Sequence, residues 1–293
     1  MDFTTFIVTV FCLIDDWLKT QPKLRQRGPQ PTLADSEVLT IEVVGAFMGI
    51  DTDKGLYLHF RRHYGDWFPA LRQVHRTTFT RQMANLWLVK ERLWQYLLTQ
   101  LDFDPAVFII DSFAVPVCRF ARAYRCKRLR EWAAWGYDDT IRQRFFGMRA
   151  HVLVCWPGVI VGVELRPADV HDRWVAEDML SDATGWALGD RNYWSPVLRD
   201  QLAERGLRLI APRKSSVSQP HPWPKWLIQT RRRIETVIGQ LTERYQAKRV
   251  WARDIWHLCS RWLRRILSHT LAVLLCQQFG LDSPLQFAAL VTD

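Results

Sequence analysis

Three acidic residues, far apart in the chain, follow elements that could bring their carboxylates together. Asp111 ends the apolar run Phe108-Ile109-Ile110, Asp190 follows Leu188-Gly189, and Glu235 borders the apolar stripe of a predicted helix. Carboxylates gathered at one site repel one another unless cations lie between them. Carboxylate oxygens suit Mg²⁺ or Mn²⁺, and two such ions can promote phosphodiester cleavage and transfer. The alternative is structural: each aspartate caps a helix or turn, and Glu235 lies in solvent.

The elements that would position these acids form a predicted α/β domain over residues 101–293. The apolar runs predict strands at 106–110, 144–156, 159–166, 186–190 and 207–211, and helices at 172–180, 195–205, 225–245 and 255–278. Three leading strands followed by α/β alternation indicate a mixed five-stranded sheet with helices on its faces. If the first and fourth strands are neighbours, Asp111 and Asp190 lie near the same edge of that sheet.

The first hundred residues predict a separate helical domain. Apolar periodicity indicates helices at 3–18, from Asp35 or Ser36 to about Gly49, and at 77–98 as one long helix. Basic residues of this domain are candidates for DNA contacts: Arg61, Arg62 and Arg76. A helix-turn-helix arrangement around 35–85 is one way in which they could be presented.

The charge balance favours an anionic partner. The chain has 293 residues, with 40 Lys and Arg against 30 Asp and Glu, a formal net charge of +10. Such a balance most often accompanies nucleic acid, and an anionic membrane surface is the weaker alternative. No apolar run approaches the length of a membrane span, and the N-terminus is not typical of a secretory signal. We therefore expect a cytoplasmic protein with reduced thiols, associated with DNA and not with a membrane.

Two further groups are candidates for supporting roles. The segment 119–130 is rich in basic residues that could bind DNA phosphates: Arg119, Arg122, Arg125, Lys127 and Arg128. Tyr124 and Trp132 interleave with these charges and could stack on bases, although a solvated face is an equal alternative. His171 and Asp172 could serve as auxiliary groups near a metal site, or Asp172 could cap the helix that follows.

Several runs resemble the DDE transposases of bacterial insertion sequences, most closely the insertion sequence 982 family. They are Asp111-Ser112-Phe113-x-x-Pro116-x-Cys118, Gly147, Gly189-Asp190-x-x-Tyr193 and Arg231-x-x-x-Glu235-Thr236, with further similar runs in the first hundred residues. Related enzymes carry Tyr-x-x-Arg-x-x-x-Glu followed by a lysine. Arg231 and Glu235 match that signature, whereas Ile228 and Thr242 replace its tyrosine and lysine, and Lys248 or Arg244 could substitute for the lysine.

The resemblance implies an RNase H-like fold with strand order 3-2-1-4-5. It also implies that Asp111, Asp190 and Glu235 hold two Mg²⁺ ions, with Mn²⁺ as a substitute, and that Arg231 contacts DNA. The implied activity is cleavage and joining of element ends. The implied partners are double-stranded DNA and at least one more copy of the chain, with no small-molecule substrate. The alternatives are an RNase H-like nuclease without strand transfer and a non-catalytic DNA-binding protein.

Overall fold

The computed structural model describes residues 1–22, 24, 28–212 and 224–292. In chain order, the helices are α1 (Phe3–Thr20), α2 (Asp35–Phe47), α3 (Asp53–His63), α4 (Arg76–Asn85), α5 (Trp87–Leu98), α6 (Asp172–Met179), α7 (Pro196–Glu204), α8 (Lys225–Gly239), α9 (Ile255–Gln278) and α10 (Phe287–Leu290). The strands are β1 (Asp104–Pro116), β2 (Ala134–Asp138), β3 (Gln143–Trp156), β4 (Val159–Pro167), β5 (Gly185–Leu188) and β6 (Leu207–Ile210).

These elements fall into two units. The helical unit contains Met1–Leu101, Leu241–Ala247 and Trp251–Asp293, and the sheet unit contains Asp102–Gln240 and Lys248–Val250. This division differs from the predicted domains 1–100 and 101–293. The reason is α9, which is buried on nearly all sides from Leu258 onwards and packs against α2, α4 and α5. A helix that is apolar around its circumference belongs in a core, and here the N-terminal helices supply that core.

The long helix predicted over 77–98 is wrong, because α4 and α5 are separate helices that meet at Leu86. The Met83 carbonyl accepts hydrogen bonds from Lys90 Nζ at 3.1 Å and from Ser260 Oγ at 3.0 Å. The N–H of Leu86 is shared between the carbonyls of Gln82 and Met83. The bond from Ser260 comes from α9, so a residue far along the chain accompanies the break, and no periodicity within 77–98 predicts that contact.

Five charged residues form a buried ion cluster in the helical unit. Lys90 Nζ lies 2.8 Å from Glu42 Oε1, and neither side chain is more than 1% exposed. Arg264 Nη1 lies 3.9 Å from Glu42 Oε1 and 3.2 Å from Asp53 Oδ1, and Arg261 also pairs with Asp53. Buried charges persist in a folded protein when they are paired in this way. The buried ion cluster thus links α2, α3, α5 and α9.

The six strands form one mixed sheet in the order β2-β3-β1-β5-β6, with β4 also beside β3. β1 runs antiparallel to β3 and parallel to β5, and β5 runs parallel to β6. The predicted mixed α/β sheet, preceded in the chain by a helical N-terminal region, is confirmed. The predicted strand order matches in part: β3, β1, β5 and β6 are neighbours as expected, and β4 lies beside β3, which also pairs with β2. β2 is an additional strand that the sequence pattern did not predict, because it is short and contains a glycine.

β1 is longer than predicted, so Asp111 lies inside the strand and not at its end. Antiparallel pairing with β3 continues from Ile110 to Pro116, and places Asp111 opposite Val152. Gly147 permits the close approach of β3 near the end of β1, since a Cβ there would lie 2.3 Å from the Val115 carbonyl oxygen. The expectation that both acids follow strand ends therefore fails for Asp111.

None of the described helices is both long enough and apolar enough to cross a bilayer. α9 is 24 residues long, but it carries arginines at positions 261, 264 and 265. Two of them, Arg264 and Arg265, are buried within the helical unit.

Candidate active site

Asp111 and Asp190 line the same cleft of the sheet unit. The cleft has a volume of about 230 Å³ and shares Asp139, Asp190, Asn192 and Arg231 with a wider opening of about 490 Å³. We name the two spaces together the aspartate cleft. Because the two spaces share these residues, they are parts of one continuous cleft.

The register of β1 and β5 explains why two distant aspartates meet. Ile109 of β1 is the partner of Leu188 of β5 in a parallel ladder. Asp111 and Asp190 each lie two residues beyond this pair. Neighbouring strands lie about 5 Å apart, so equal offsets place the two carboxylates side by side. The sequence pattern predicted this meeting, and the structure confirms that both residues share the cleft.

Asp190 is held by the turn that follows β5. Its Oδ1 accepts a hydrogen bond from the Asn192 backbone N–H at 2.8 Å, and its Oδ2 lies 3.3 Å from Asn192 Nδ2. It therefore caps the short 3₁₀ helix Arg191–Tyr193. Asp190 therefore caps a turn, as the structural alternative predicted, and it also lines the aspartate cleft.

The pKa of Asp111 is raised to about 7, chiefly because burial disfavours its charge. The hydrogen bond from the Ser112 N–H to Oδ1, at 2.7 Å, opposes this rise. The negative charge of Asp190 adds to it, and Arg231 counteracts it. The two aspartates are therefore close enough to repel each other across the cleft, a repulsion that a cation between them would relieve.

Asp172 lies near the cleft, whereas its neighbour His171 has a structural role. Asp172 Oδ1 is 3.7 Å from Arg149 Nε and 4.0 Å from His151 Nε2. Burial raises the pKa of Asp172 and Arg149 opposes the rise, while Asp190 adds to it. His171 is exposed, and its Nδ1 accepts the backbone N–H two residues on, so that His171 caps α6. The alternative of an Asp172 cap is thus wrong by one residue.

A buried polar network lies behind Asp111. Tyr193 is fully buried, and its hydroxyl lies 3.4 Å from His151 Nδ1 and also hydrogen-bonds with Ser112. Gly189 accommodates the ring, since a Cβ there would lie 3.0 Å from the Tyr193 Cβ. In the motif Gly189-Asp190-x-x-Tyr193, the glycine therefore makes room for the tyrosine ring, whose hydroxyl reaches Ser112.

Three cationic side chains line the cleft with the acids: Arg149, Arg231 and Lys248. Lys248 was one of two candidates to replace the missing lysine of the signature. The other, Arg244, instead donates to the Phe47 carbonyl at 3.0 Å in the helical unit. The sequence pattern did not single out Arg149, which lies within the apolar strand β3, or the Asp138-Asp139 pair at the end of β2. In the sequence, these three residues are marked only by being polar within or next to a strand.

Glu235 does not join the two aspartates. It is exposed on α8, one helical turn beyond Arg231, which does line the cleft. α8 packs against β1 and β3 through Leu227, Ile234 and Val237. Within the described parts of the chain, no group of three or more His, Cys, Asp or Glu side chains is placed to hold a metal ion. The chemistry of the Asp111–Asp190 pair fits a divalent cation, and the third acid stands apart from it.

The predicted DNA-binding residues are mostly exposed. In the sheet unit, Arg119, Arg122, Arg125 and Lys127 are exposed, while Arg128 donates to the Val117 carbonyl at 2.9 Å. In the helical unit, Arg62 and Arg76 are exposed. Arg61 is engaged with the Tyr57 hydroxyl at 3.0 Å and stacks on that ring. Arg128 and Arg61 are therefore partly committed to contacts within the protein.

Exposed aromatic rings accompany the basic segment. Tyr124 is 84% exposed, and its ring lies 5.2 Å from that of Trp135. Phe120 contacts the same Trp135 at 5.8 Å. Trp132, the other aromatic residue singled out in the sequence, is also exposed. Aromatic rings among basic side chains are typical of surfaces that bind nucleic acid.

The fold and the cleft define an α/β protein with two aspartates in one cleft of the sheet unit and cationic side chains beside them. The family profile of the transposase DDE domain matches residues 104–254, more than half of the 293 residues. The chain belongs to this family. No curated protein matches it in sequence. Among solved structures, it is similar to a cryo-EM structure of the piggyBac transposase synaptic complex with hairpin DNA. The TM-score is 0.45 with 10% identity, over 96% of this chain and 76% of that chain.

Proposed function

We propose that this protein is a DNA transposase that binds the terminal inverted repeats of an insertion sequence similar to the insertion sequence 982 family. It would cleave the element ends and transfer them to target DNA in a Mg²⁺-dependent reaction. The observation that carries the proposal is the meeting of Asp111 and Asp190 in one cleft of a chain that belongs to the DDE transposase family. The net charge of +10 supports an anionic substrate.

Asp111 and Asp190 are the residues that would hold the metal, with Glu235 of α8 as the third acid that the family resemblance implies. Two bound Mg²⁺ ions, or Mn²⁺ in their place, would activate the attacking water or 3′-hydroxyl and stabilise the leaving oxygen. The sheet unit would then be an RNase H-like catalytic domain.

The protein's own groups would bind and orient the DNA strand. Arg149, Arg231 and Lys248 line the cleft and would attract the scissile phosphate and its neighbours. Asn192 holds Asp190 in place, and the Ser112 N–H holds Asp111. The exposed basic segment 119–130 would track the DNA backbone beyond the cleft. Joining two ends requires at least a homodimer, a requirement that follows from the reaction.

The first test is the variant Asp111→Asn, assayed by nicking of a duplex that carries the element end. With Mg²⁺, we expect cleavage to be abolished and end binding to survive. Asp182→Asn is the matched control, because Asp182 is exposed and does not line the cleft. Wild-type cleavage by Asp111→Asn would overturn the proposal, as would loss of binding with the fold intact.

Glu235 needs its own test, because it stands apart from the aspartates. We expect Glu235→Gln to abolish cleavage while Glu204→Gln, another exposed helical glutamate, leaves it unchanged. Normal cleavage by Glu235→Gln would remove Glu235 from the site and leave the two aspartates in place.

The products distinguish the alternative functions. Joined strands on a gel support the transposase, whereas nicked DNA without joined products indicates an RNase H-like nuclease. Binding without any cleavage indicates a non-catalytic DNA-binding protein. Terminal inverted repeats in the DNA flanking the gene would favour the transposase over both.

A further inference from the structure

A cavity of about 610 Å³ lies in the helical unit, where α3, α4 and α9 begin. Five cationic side chains line it, and one of them, Arg261, is paired with Asp53. The other four come from three separate stretches of the sequence: Lys54 of α3, Arg76 and Arg81 of α4, and Arg253 just before α9. We call this space the cationic cavity. Its residues are adjacent only in the fold, and apart from Arg76 none was singled out from the sequence.

The two carboxylates in its lining are already engaged. Asp53 accepts hydrogen bonds from Arg261 and Arg264, which belong with it to the buried ion cluster. Asp254 caps α9 by accepting the His257 N–H at 2.9 Å, and it also contacts the His257 ring at 2.8 Å. Neither acid is therefore left over to balance further positive charge.

The four cations that remain have no such partners. Lys54, Arg76, Arg81 and Arg253 are all exposed, and none forms an ion pair with another residue in the described part of the chain. Like charges lining one concave space raise the local potential and attract an anion. The partial positive charges at the N-terminal ends of α3, α4 and α9 add to this field.

We propose that the cationic cavity binds consecutive phosphate groups of the DNA backbone. This inference rests on the proposed function, which makes DNA the source of the phosphates. A free phosphate ion could occupy two or three of the cations at most. Four cations spread over three elements suit a polymer in which each strand carries one phosphate per about 3.4 Å of helix axis. Such contacts fix the position of DNA on the protein without reading its sequence.

The test is the salt dependence of duplex binding by the full-length chain. The variant Arg76→Ala/Arg81→Ala removes two of the proposed phosphate contacts at exposed helical positions, where alanine is well tolerated. The slope of log K against log salt falls by about 0.9 per lost contact, so we expect a slope shallower by about 1.8. Circular dichroism and thermal melting establish that the variant is folded.

The matched comparison is Arg81→Ala with Arg92→Ala. Both arginines are exposed on helices of the helical unit, and only Arg81 lines the cationic cavity. Arg81→Ala should lower the slope by about 0.9, whereas Arg92→Ala should leave it unchanged. Equal effects of the two substitutions would mean that overall charge, and not the cationic cavity, carries binding, which would overturn the inference.

A second arm separates DNA from free phosphate. Inorganic phosphate and pyrophosphate are titrated into the wild type and into Arg76→Ala/Arg81→Ala by calorimetry. Tight phosphate binding that the variant loses, with duplex binding unchanged, would show that the site serves a small anion and would overturn the inference. If the wild type binds no duplex at all, the proposed function fails. If the wild type binds and the cavity variants keep its slope, only this inference fails.

Discussion

The helical unit and the sheet unit both bury charge, but they do so in opposite ways. In the helical unit, Lys90 and Glu42 are buried as a pair at 2.8 Å, with Arg264 beside them. In the sheet unit, Asp111 is half-buried next to another acid, Asp190, and its pKa rises to about 7. Pairing satisfies buried charges, whereas like charges leave a site that attracts a cation. The charge pairs of the helical unit therefore stabilise the fold, whereas the two aspartates of the sheet unit form a candidate cation-binding site.

The largest expected effect comes from breaking the Lys90–Glu42 ion pair of the helical unit. Lys90→Met leaves the buried Glu42 carboxylate without its main partner, so we expect the free energy of unfolding to fall by about 3–5 kcal/mol. Urea denaturation measures this change. The double variant Glu42→Met/Lys90→Met removes both charges and should recover most of the loss. A double variant as unstable as Lys90→Met would mean that packing, and not charge pairing, is responsible.

Removing a charge from the sheet unit should instead increase the free energy of unfolding. The folded pKa of Asp111, about 7, lies above the 3.8 of an unperturbed aspartate. The folded state therefore holds this proton longer, and its stabilising effect is lost as pH rises from about 4 to about 7. Asp111→Asn should raise the free energy of unfolding by up to about 4 kcal/mol at pH 8 and little at pH 4. If Asp111→Asn is less stable than the wild type at pH 8, the charge of Asp111 does not destabilise the sheet unit, and the contrast with the paired charges of the helical unit fails.

Acid should destabilise both units through buried histidines. Burial lowers the pKa of His269 in the helical unit and of His151 in the sheet unit to about 3. The unfolded chain takes up these protons first, so stability is lost as pH falls from about 6.5 towards 3. At pH 5 each histidine should account for about 2 kcal/mol. His269→Phe should reduce the loss of stability between pH 7 and 5, and the exposed His63→Phe should not.

The smallest expected effect concerns the network behind the cleft. Tyr193→Phe removes the hydroxyl that lies between Ser112 and His151 and keeps the ring against Gly189. We expect a loss of about 1 kcal/mol in the free energy of unfolding, the value of one hydrogen bond. Chemical denaturation measures this loss. No change would mean that the hydroxyl makes no net contribution to the stability of the fold.

The sequence predicted the sheet better than it predicted the site. The run Phe108–Ile110 and the motif around Asp190 indicated neighbouring strands, and the β1–β5 register bears this out. Glu235 was expected beside them because it borders an apolar stripe. The apolar stripe of α8 does pack on the sheet. The residue of α8 that lines the cleft, however, is Arg231 and not Glu235. The apolar pattern of a helix predicts which face is buried. It does not predict how the helix is rotated and shifted along its axis against the sheet, which decides the residue that reaches the cleft.

Local pattern alone determined the apolar strands, the course of α9 and the two aspartates two residues beyond matched strand positions. Tertiary structure alone decided that α9 belongs with the N-terminal helices, that α4 and α5 separate at Leu86, and that Lys54, Arg81 and Arg253 share a cavity. The physical reason is the distance along the chain over which each kind of interaction acts. Periodicity and turn chemistry act over a few residues, whereas burial and charge pairing join residues that lie tens to hundreds of positions apart.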